Sequence, residues 1–319
     1  MKLMTFALEG RTRLGAVADD GGIVDLAAHT EQPAFGSMQS LIEAGDEALR
    51  LARSTVAGAT ITLDPAGVVW LSPLPQPVQM RDFLVFEEHM RVAGWRGAQL
   101  RHLWGAPPAP PEPMPIPDIW YQQPIYYKCN RFAVTGTGGT IMWPRTSKVI
   151  DYELEIACVI GKGGRDIDAA DAAQHIFGYT IFNDLTARDL QFREMQGPLG
   201  PAKGKDFDGA NVLGPVIVTR DELGDAPDLA MRALVNGEVW SEGRSGSMHW
   251  SWGQIIEYVS RSETLHPGEV LGSGTVGTGC GLELGRMLCD GDVVRLEIEG
   301  IGAIETTICA PHVTERTRL

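Results

Sequence analysis

The sequence predicts a β-rich α+β fold, a mixed β-sandwich or roll over 78–319 behind a small β-rich N-terminal domain over 1–76. Three observations predict it. Beyond residue 125 seven apolar segments recur between glycine turns, among them "DYELEIACVIGK", "HIFGYTIFND" and "DVVRLEIEGIGAIETTIC". Helical segments there are few and do not alternate regularly with the strands, which argues against a doubly wound parallel sheet. The front of the chain reads as short strands around one helix and closes on the proline-spaced "SPLPQP".

Taken in order, "MKLMTFAL", "RLGAVAD" and "GIVDL" read as strands, "SMQSLIEAGDEALRLARSTV" as a helix, and "TITLDPAGVVWLSPLPQPVQM" as a final strand with its linker. The body opens with "RDFLVFEEHMRVAGW", whose apolar spacing is helical. Next comes "LWGAPPAPPEPMPIPDIWYQQP". Proline at that density removes backbone donors and excludes a regular helix or central strand, leaving a surface linker or a long shaped lid. Its two tryptophans and nearby tyrosines favour the lid. Among the later strands, "RFAVTGTGGTIMW", "NVLGPVIVTR", "LAMRALVNGEVW" and "GEVLGSGTVG" complete the set, with helices expected at "IDAADAAQ", "DLTARDLQFREM" and "SWGQIIEYVS".

Composition narrows the function classes. A chain of 319 residues can bury a large core. Its 44% hydrophobic and 21% charged content is that of an ordinary globular protein, neither disordered nor fibrous. The net charge of −14 argues against nucleic acid or an anionic membrane as partner, since both select basic patches. An anionic substrate would need local compensation from a metal ion or buried lysines. No apolar run has the length of a signal-peptide core or a membrane span. The five cysteines lack the paired spacing of a zinc site. A reducing, cytoplasmic location is the expectation.

The chemistry concentrates in "DYELEIACVIGK". Alternation along a strand points Glu153 and Glu155 the same way, about 7 Å apart. An isolated E-x-E is usually a solvated edge, but the apolar run that follows reads as buried. Two like charges in a buried site repel unless a proton or cation is shared, and a divalent ion with oxygen ligands is the economical solution. Asp184, at the end of "GYTIFND", is either a third ligand or the N-cap of the next helix. If one helix includes both, Asp82 and His89 lie two turns apart on one face, a metal ligand beside a general base.

Together, "RDFLVFEEH", "DYELEIACVIGK", "GYTIFNDLTARDLQ", "KGKDFDGANVLGP" and "GSGTVGTGCG" closely resemble the fumarylacetoacetate hydrolase family, from about residue 78 to the end. The two glutamates stand 31 and 29 positions before Asp184, in the family's order. The resemblance implies a divalent metal, Mg²⁺ first and Mn²⁺ or Ca²⁺ next, held by Asp82, Glu153, Glu155 and Asp184. It implies His89 as general base, Glu283 as the carboxylate that positions it, and Lys205 as a catalytic lysine in preference to Lys203. Gln191, Thr275 and Tyr127 match substrate-binding positions. The implied activity is hydrolysis of a carbon–carbon bond in a 1,3-diketone or acylpyruvate, in the catabolism of aromatic or related compounds. The implied partners are a small keto or diketo acid and a second copy in a homodimer.

Hydratases, decarboxylases, isomerases and sugar-acid hydrolases of the family share that metal site. Small members carry a His and a Glu three apart on a lid helix; here Val92 follows His89 at that spacing, and Glu87 and Glu88 precede it. Two other classes remain. "GSGTVG" satisfies G-x-G-x-x-G, but no helix is expected after it and 42 residues remain, too few for a nucleotide-binding half. A metal that merely staples a binding protein would be fully ligated, whereas four carboxylates beside a histidine and a lysine suggest open positions.

Overall fold

In the computed structural model, which describes residues 1–197, 199–311, 317 and 318, the chain begins with a hairpin of β1 (Lys2–Leu8) and β2 (Arg11–Val17). Its two turn residues, Glu9 and Gly10, both take positive φ, 51° and 74°. That pair matches the right-handed twist of the flanking strands. β3 (Ile23–Asp25) pairs with β2, and Asp25 then caps a helical turn, α1 (Leu26–His29). Ser37 caps α2 (Met38–Gly58), whose buried Met38, Leu41, Ile42, Ala48 and Ala52 cover one face of the sheet. β4 (Val69–Trp70) returns to β1.

The expected helix across "RDFLVFEEHMRVAGW" is in fact two elements. β5 (Met80–Phe83) is a buried strand, and α3 (Glu87–His102) begins only after Phe86, which is extended. Asp82 is therefore a strand residue, not a helical partner of His89. Acidic Glu87 and Glu88 in the first turn of α3, with Arg101 and His102 in the last, suit the helix dipole. Residues 103–117 of the proline-rich segment have no regular structure, and a short helix, α4 (Asp118–Gln122), follows. The segment is pinned at two points. Buried Trp120 donates its indole N–H to the Leu84 carbonyl at 2.6 Å, and Trp95 donates to the Pro110 carbonyl at 2.9 Å.

β6 (Tyr126–Lys128), β7 (Val134–Thr135), β8 (Gly139–Met142) and β9 (Ile150–Asp151) lead into β10 (Leu154–Ile160) and β11 (Ile176–Asp184). Every residue of β10 and β11 is buried. Strand alternation divides β10 between two cores. Leu154, Ile156, Cys158 and Ile160 enter the main core, while Ala157 and Val159 enter the core under α2. Each large apolar side chain so buried contributes roughly 1.5–3 kcal/mol.

After β12 (Thr186–Ala187) come α5 (Arg188–Glu194) and α6 (Ala202–Lys205). β13 (Asn211–Thr219), α7 (Arg220–Leu223), β14 (Ala230–Val235) and β15 (Glu238–Arg244) precede α8 (Trp252–Ser260), which Ser251 and Gln254 close with a capping box. β16 (Val270–Gly272), a helical turn α9 (Gly281–Leu284), β17 (Val293–Ile298) and β18 (Gly302–Cys309) end the regular structure of the described residues. The expected helix at "IDAADAAQ" is only a single 3-10 turn, Ala172–His175.

The large sheet runs β3-β2-β1-β13-β11-β10-β16-β5-β6, with β4 attached to β1 and β7 to β13. A five-stranded sheet, β15-β14-β17-β18-β8, faces it across the main core, and β9 pairs with β12. This is the mixed, sheet-rich α+β architecture the sequence predicts. β1 joins β13 with Leu3 opposite Ile217, so the strands of the front segment continue the large sheet of the body. We propose 1–76 and 78–319 as the two units on sequence grounds.

Candidate functional site

Asp82 sits on β5, Glu155 on β10 and Asp184 at the last position of β11. All three are buried, and one carboxylate oxygen from each lies within 4.8 Å of the others. β16 separates β5 from β10, and its Gly272, opposite both Asp82 and Ala157, makes the approach possible. A Cβ there would stand 2.5 Å from Asp82 Oδ1 and 3.1 Å from Glu155 Oε2. Two residues on, Gly274 (φ +78°) donates its N–H to Asp82 at 3.0 Å and to Glu155 at 3.2 Å. The glycines of "GSGTVG" therefore cradle carboxylates. A four-residue helix, α9, does follow that loop, but the strand–turn–helix unit of a nucleotide site is not formed.

Burial pushes all three acids up. Asp82 rises to about 6 and Asp184 to about 8, while Glu155, buried and facing Asp82, rises well above the usual carboxylate range. Asp184 Oδ2 accepts from the Tyr127 hydroxyl at 2.6 Å and from Lys205. Its other oxygen, Oδ1, is buried without a hydrogen-bond partner among the described residues. Three converging carboxylates, one with an unmatched lone pair, form a hard oxygen donor set that suits a divalent cation.

Glu153 lies between β9 and β10 and turns to two cations. Lys205 bonds both Glu153 and Asp184, and Arg188 meets Glu153 Oε1 at 2.9 Å. Burial opposes the charged form of both Glu153 and Lys205. The opposite charges win, holding the Glu153 carboxyl low and the Lys205 ammonium high. Lys205 is buried on α6 whereas Lys203 is exposed. Close packing of α6 on α5 explains this, since a Cβ on Gly204 would stand 2.7 Å from the Gln191 backbone nitrogen.

His89, in the first turn of α3, is buried with Nδ1 2.9 Å from Glu283 Oε2. Burial disfavours its charged form most, but the Glu283 charge, its hydrogen bond and the Glu153 charge together outweigh this and raise its pKa. Glu283 is itself held by the Thr278 N–H at 3.0 Å and the Cys280 thiol at 3.3 Å. Nδ1 being so engaged, Nε2 is the nitrogen left for chemistry. Thr275 directs its hydroxyl at Glu155 from 3.5 Å. Gln191 accepts from Arg188 at 3.1 Å.

One cavity of about 380 Å³ is lined by Asp82, His89, Tyr127, Glu153, Gln191, Lys205 and Thr275 together. Glu155 and Asp184 lie buried beside this lining and Glu283 behind His89. Asp184 does not cap α5, whose N-cap is Ala187. Sequence reasoning missed Arg188 and Asp151. Arg188 donates to Asp151 Oδ2 at 2.9 and 2.6 Å, and Asp151 also accepts from the Gly281 and Leu282 N–H groups at 2.8 and 2.9 Å. The pair thereby ties Glu153 to α9, which carries Glu283. Both residues stand inside the quoted motifs, in "DYELE" and "TARDLQ", but an arginine beside an aspartate reads as a surface helix.

The chain is similar to known proteins along most of its length. The family model for the fumarylacetoacetate hydrolase C-terminal domain matches residues 96–309. The mitochondrial oxaloacetate tautomerase fahd2 of Xenopus laevis is 31% identical over 304 residues, 93% of this chain and 86% of that protein. The oxaloacetate tautomerase YisK of Bacillus subtilis strain 168 is 30% identical over 97% of this chain and 100% of its own. The solved fumarylacetoacetate hydrolase of Exiguobacterium antarcticum superposes with a TM-score of 0.71 at 28% identity, covering 97% of this chain and 99% of that one. The chain belongs to the fumarylacetoacetate hydrolase family.

Proposed function

We propose that this enzyme interconverts the keto and enol forms of a 2-oxo acid bearing a second carbonyl at C4, using a divalent metal. The observation that supports it best is the buried cluster of Asp82, Glu155 and Asp184, beside a charged lysine and a His–Glu pair that share one cavity. The tautomerase activity named for the frog and Bacillus relatives moves the reading away from the carbon–carbon hydrolysis that the sequence ranks first. Mg²⁺ is the ion we propose, with Glu153 as fourth carboxylate, oriented by Lys205 and Arg188. When bound, the ion would supply Lewis-acid polarisation of the 2-oxo group.

The protein's own part is proton movement and charge. His89, its Nδ1 fixed by Glu283, presents Nε2 to take the C3 proton and deliver it to the enolate oxygen, the reverse transfer restoring the keto form. Lys205 brings a positive charge to the oxygen that becomes anionic, with the Gln191 amide and the Thr275 hydroxyl to orient the acid.

Carbon–carbon hydrolysis is the second reading, because the His89–Glu283 pair can equally take a proton from water. One experiment separates them: purified protein, with chelator or with Mg²⁺, Mn²⁺ or Ca²⁺, is mixed with oxaloacetate and with an acylpyruvate. Enol absorbance and the products are followed together. Loss of enol signal with the acid intact supports tautomerisation, two shorter acids support hydrolysis, and activity surviving complete metal removal rejects both. A homodimer and a cytoplasmic location are proposed alongside. Cys129, Cys158 and Cys280 are buried free thiols, which suits a reducing compartment; the frog relative's mitochondrial location is the alternative.

A further inference from the structure

We propose a second metal site, for a thiophilic divalent cation such as Zn²⁺, formed by His89, Cys280 and Glu283. It shares no residue with the carboxylate cluster and offers different donors. A ring nitrogen, a thiol sulfur and a carboxylate oxygen, one from each residue, lie within 4.8 Å of one another, and all three residues are buried. Two elements hold them. His89 stands in the first turn of α3, while Cys280 is the N-cap of α9 and Glu283 lies in its first turn. Glu283 Oε2 already faces both partners, at 2.9 Å from His89 Nδ1 and 3.3 Å from Cys280 Sγ. A tetrahedral ion with bonds of about 2.0–2.3 Å holds its ligand atoms roughly 3.3–3.7 Å apart, so these two distances need widen by only about half an ångström.

Nitrogen, sulfur and oxygen donors together select Zn²⁺ over Mg²⁺ or Ca²⁺, which suit the all-oxygen cluster. Three protein ligands leave the fourth position to water, as in open zinc sites. The surrounding charge also favours a cation: Glu283, Asp151 and Glu153 set three negative charges about Cys280 against the guanidinium of Arg188. His89 lines the cavity, which gives the ion a path to the group. Loading exchanges protons for metal. Cys280 releases its thiol proton, and the Nδ1 lone pair of His89 takes the ion while the ring keeps its hydrogen on Nε2. One proton leaves in all when His89 starts neutral, and two when it starts as imidazolium. An Nε2 that carries hydrogen cannot accept another, so the bound ion switches off the general base while the carboxylate cluster stays filled. That consequence rests on the function proposed above; the binding itself does not.

The test uses the full chain with its cluster first filled by excess Mg²⁺. Co²⁺ stands in for Zn²⁺, because cobalt on a thiolate gives a near-ultraviolet charge-transfer band that oxygen and nitrogen ligands do not. The band is expected on adding Co²⁺ and should bleach when Zn²⁺ displaces it. Cys280→Ser should abolish the band and weaken Zn²⁺, measured by competition with a chromophoric chelator, by more than roughly 100-fold, since loss of an outer partner alone costs 10–100-fold. Zn²⁺ should stop turnover of the unmodified protein, unrelieved by more Mg²⁺, whereas Cys280→Ser should keep its own Zn²⁺-free rate at the same concentration. Absence of the band in the unmodified protein would overturn the proposal whatever the variants do. Cys129 is the competing thiol, since it feels the charges of Asp82 and Asp184. A band that survives in Cys280→Ser and disappears in Cys129→Ser would place the ion at the carboxylate cluster and overturn the proposal too. A band lost in Cys280→Ser while Zn²⁺ leaves turnover intact would uphold the metal site and remove His89 as the base.

Discussion

Glu155 and His89, both buried at the candidate site, are proposed for different tasks. Glu155 is pushed well up by burial and by Asp82, which favours its neutral form when no cation is bound. Glu155→Gln mimics that neutral form with an amide. Thermal stability measured in chelator should therefore barely change, while calorimetric titration with Mn²⁺ should show binding lost. A large drop in stability without metal would contradict the protonated state. His89 meets the rest of the site through Glu283 and has no place among the three clustered carboxylates. His89→Ala should keep Mn²⁺ affinity and lower kcat by roughly 10²–10⁴, the range of a positioned acid–base group. Full turnover in that variant would remove the histidine from the mechanism.

At the scale of elements, the site depends on the one glycine that ends β16. Gly272 of β16 leaves the space in which Asp82 and Glu155 converge. Gly272→Ala should weaken Mn²⁺ binding by roughly 10–100-fold, as changes around metal ligands do, with the circular-dichroism spectrum retained. Unaltered affinity would show that the carboxylates tolerate separation. These elements also explain what the sequence could reveal. β10 and β11 were legible because a period of two and unbroken apolar content mark buried strands, and Asp184 stands where the apolar run stops. β5 was not legible. Its four residues, "MRDF", are too few to show a period, and helical spacing in the α3 sequence spreads over them. The Asp151–Arg188 pair was hidden for another reason: it joins positions 37 apart, and only the fold brings an exposed-looking arginine to a buried aspartate. The proline-rich segment announced its irregularity but not its anchors, because Trp120 reaches Leu84 across 36 positions.

For the molecule as a whole, the buried acids set the pH dependence of stability. Asp82 and Asp184 titrate at about 6 and about 8 in the folded protein against an ordinary value of 3.8, and Glu155 is raised as well. Between about pH 4 and pH 8 the folded state thus binds more protons than the unfolded state, and its stability falls as pH rises. His89 acts in the same direction. Its raised pKa contributes stability that is present below the unfolded value of 6.5 and is lost as pH climbs through the folded one. Glu153, held low by its cations, contributes stability that is lost below its unfolded value of 4.5 and is nearly constant over the upper part of this window. The Lys205 contribution is lost only at still higher pH, because its ordinary value is already 10.5. The metal-free protein should therefore melt at a lower temperature at pH 8.5 than at pH 5.5. A divalent cation reverses the trend, since it binds the deprotonated cluster and stabilises the folded state in proportion to its affinity. The increment in melting temperature from millimolar Mg²⁺ or Mn²⁺ should be small at pH 5.5, where protons compete for the carboxylates, and several times larger at pH 8.5. Differential scanning fluorimetry in chelator and in metal at the two pH values measures both trends. Equal metal increments at both, or a metal-free protein that gains stability towards pH 8.5, would mean that the buried carboxylates are not the groups the cation binds.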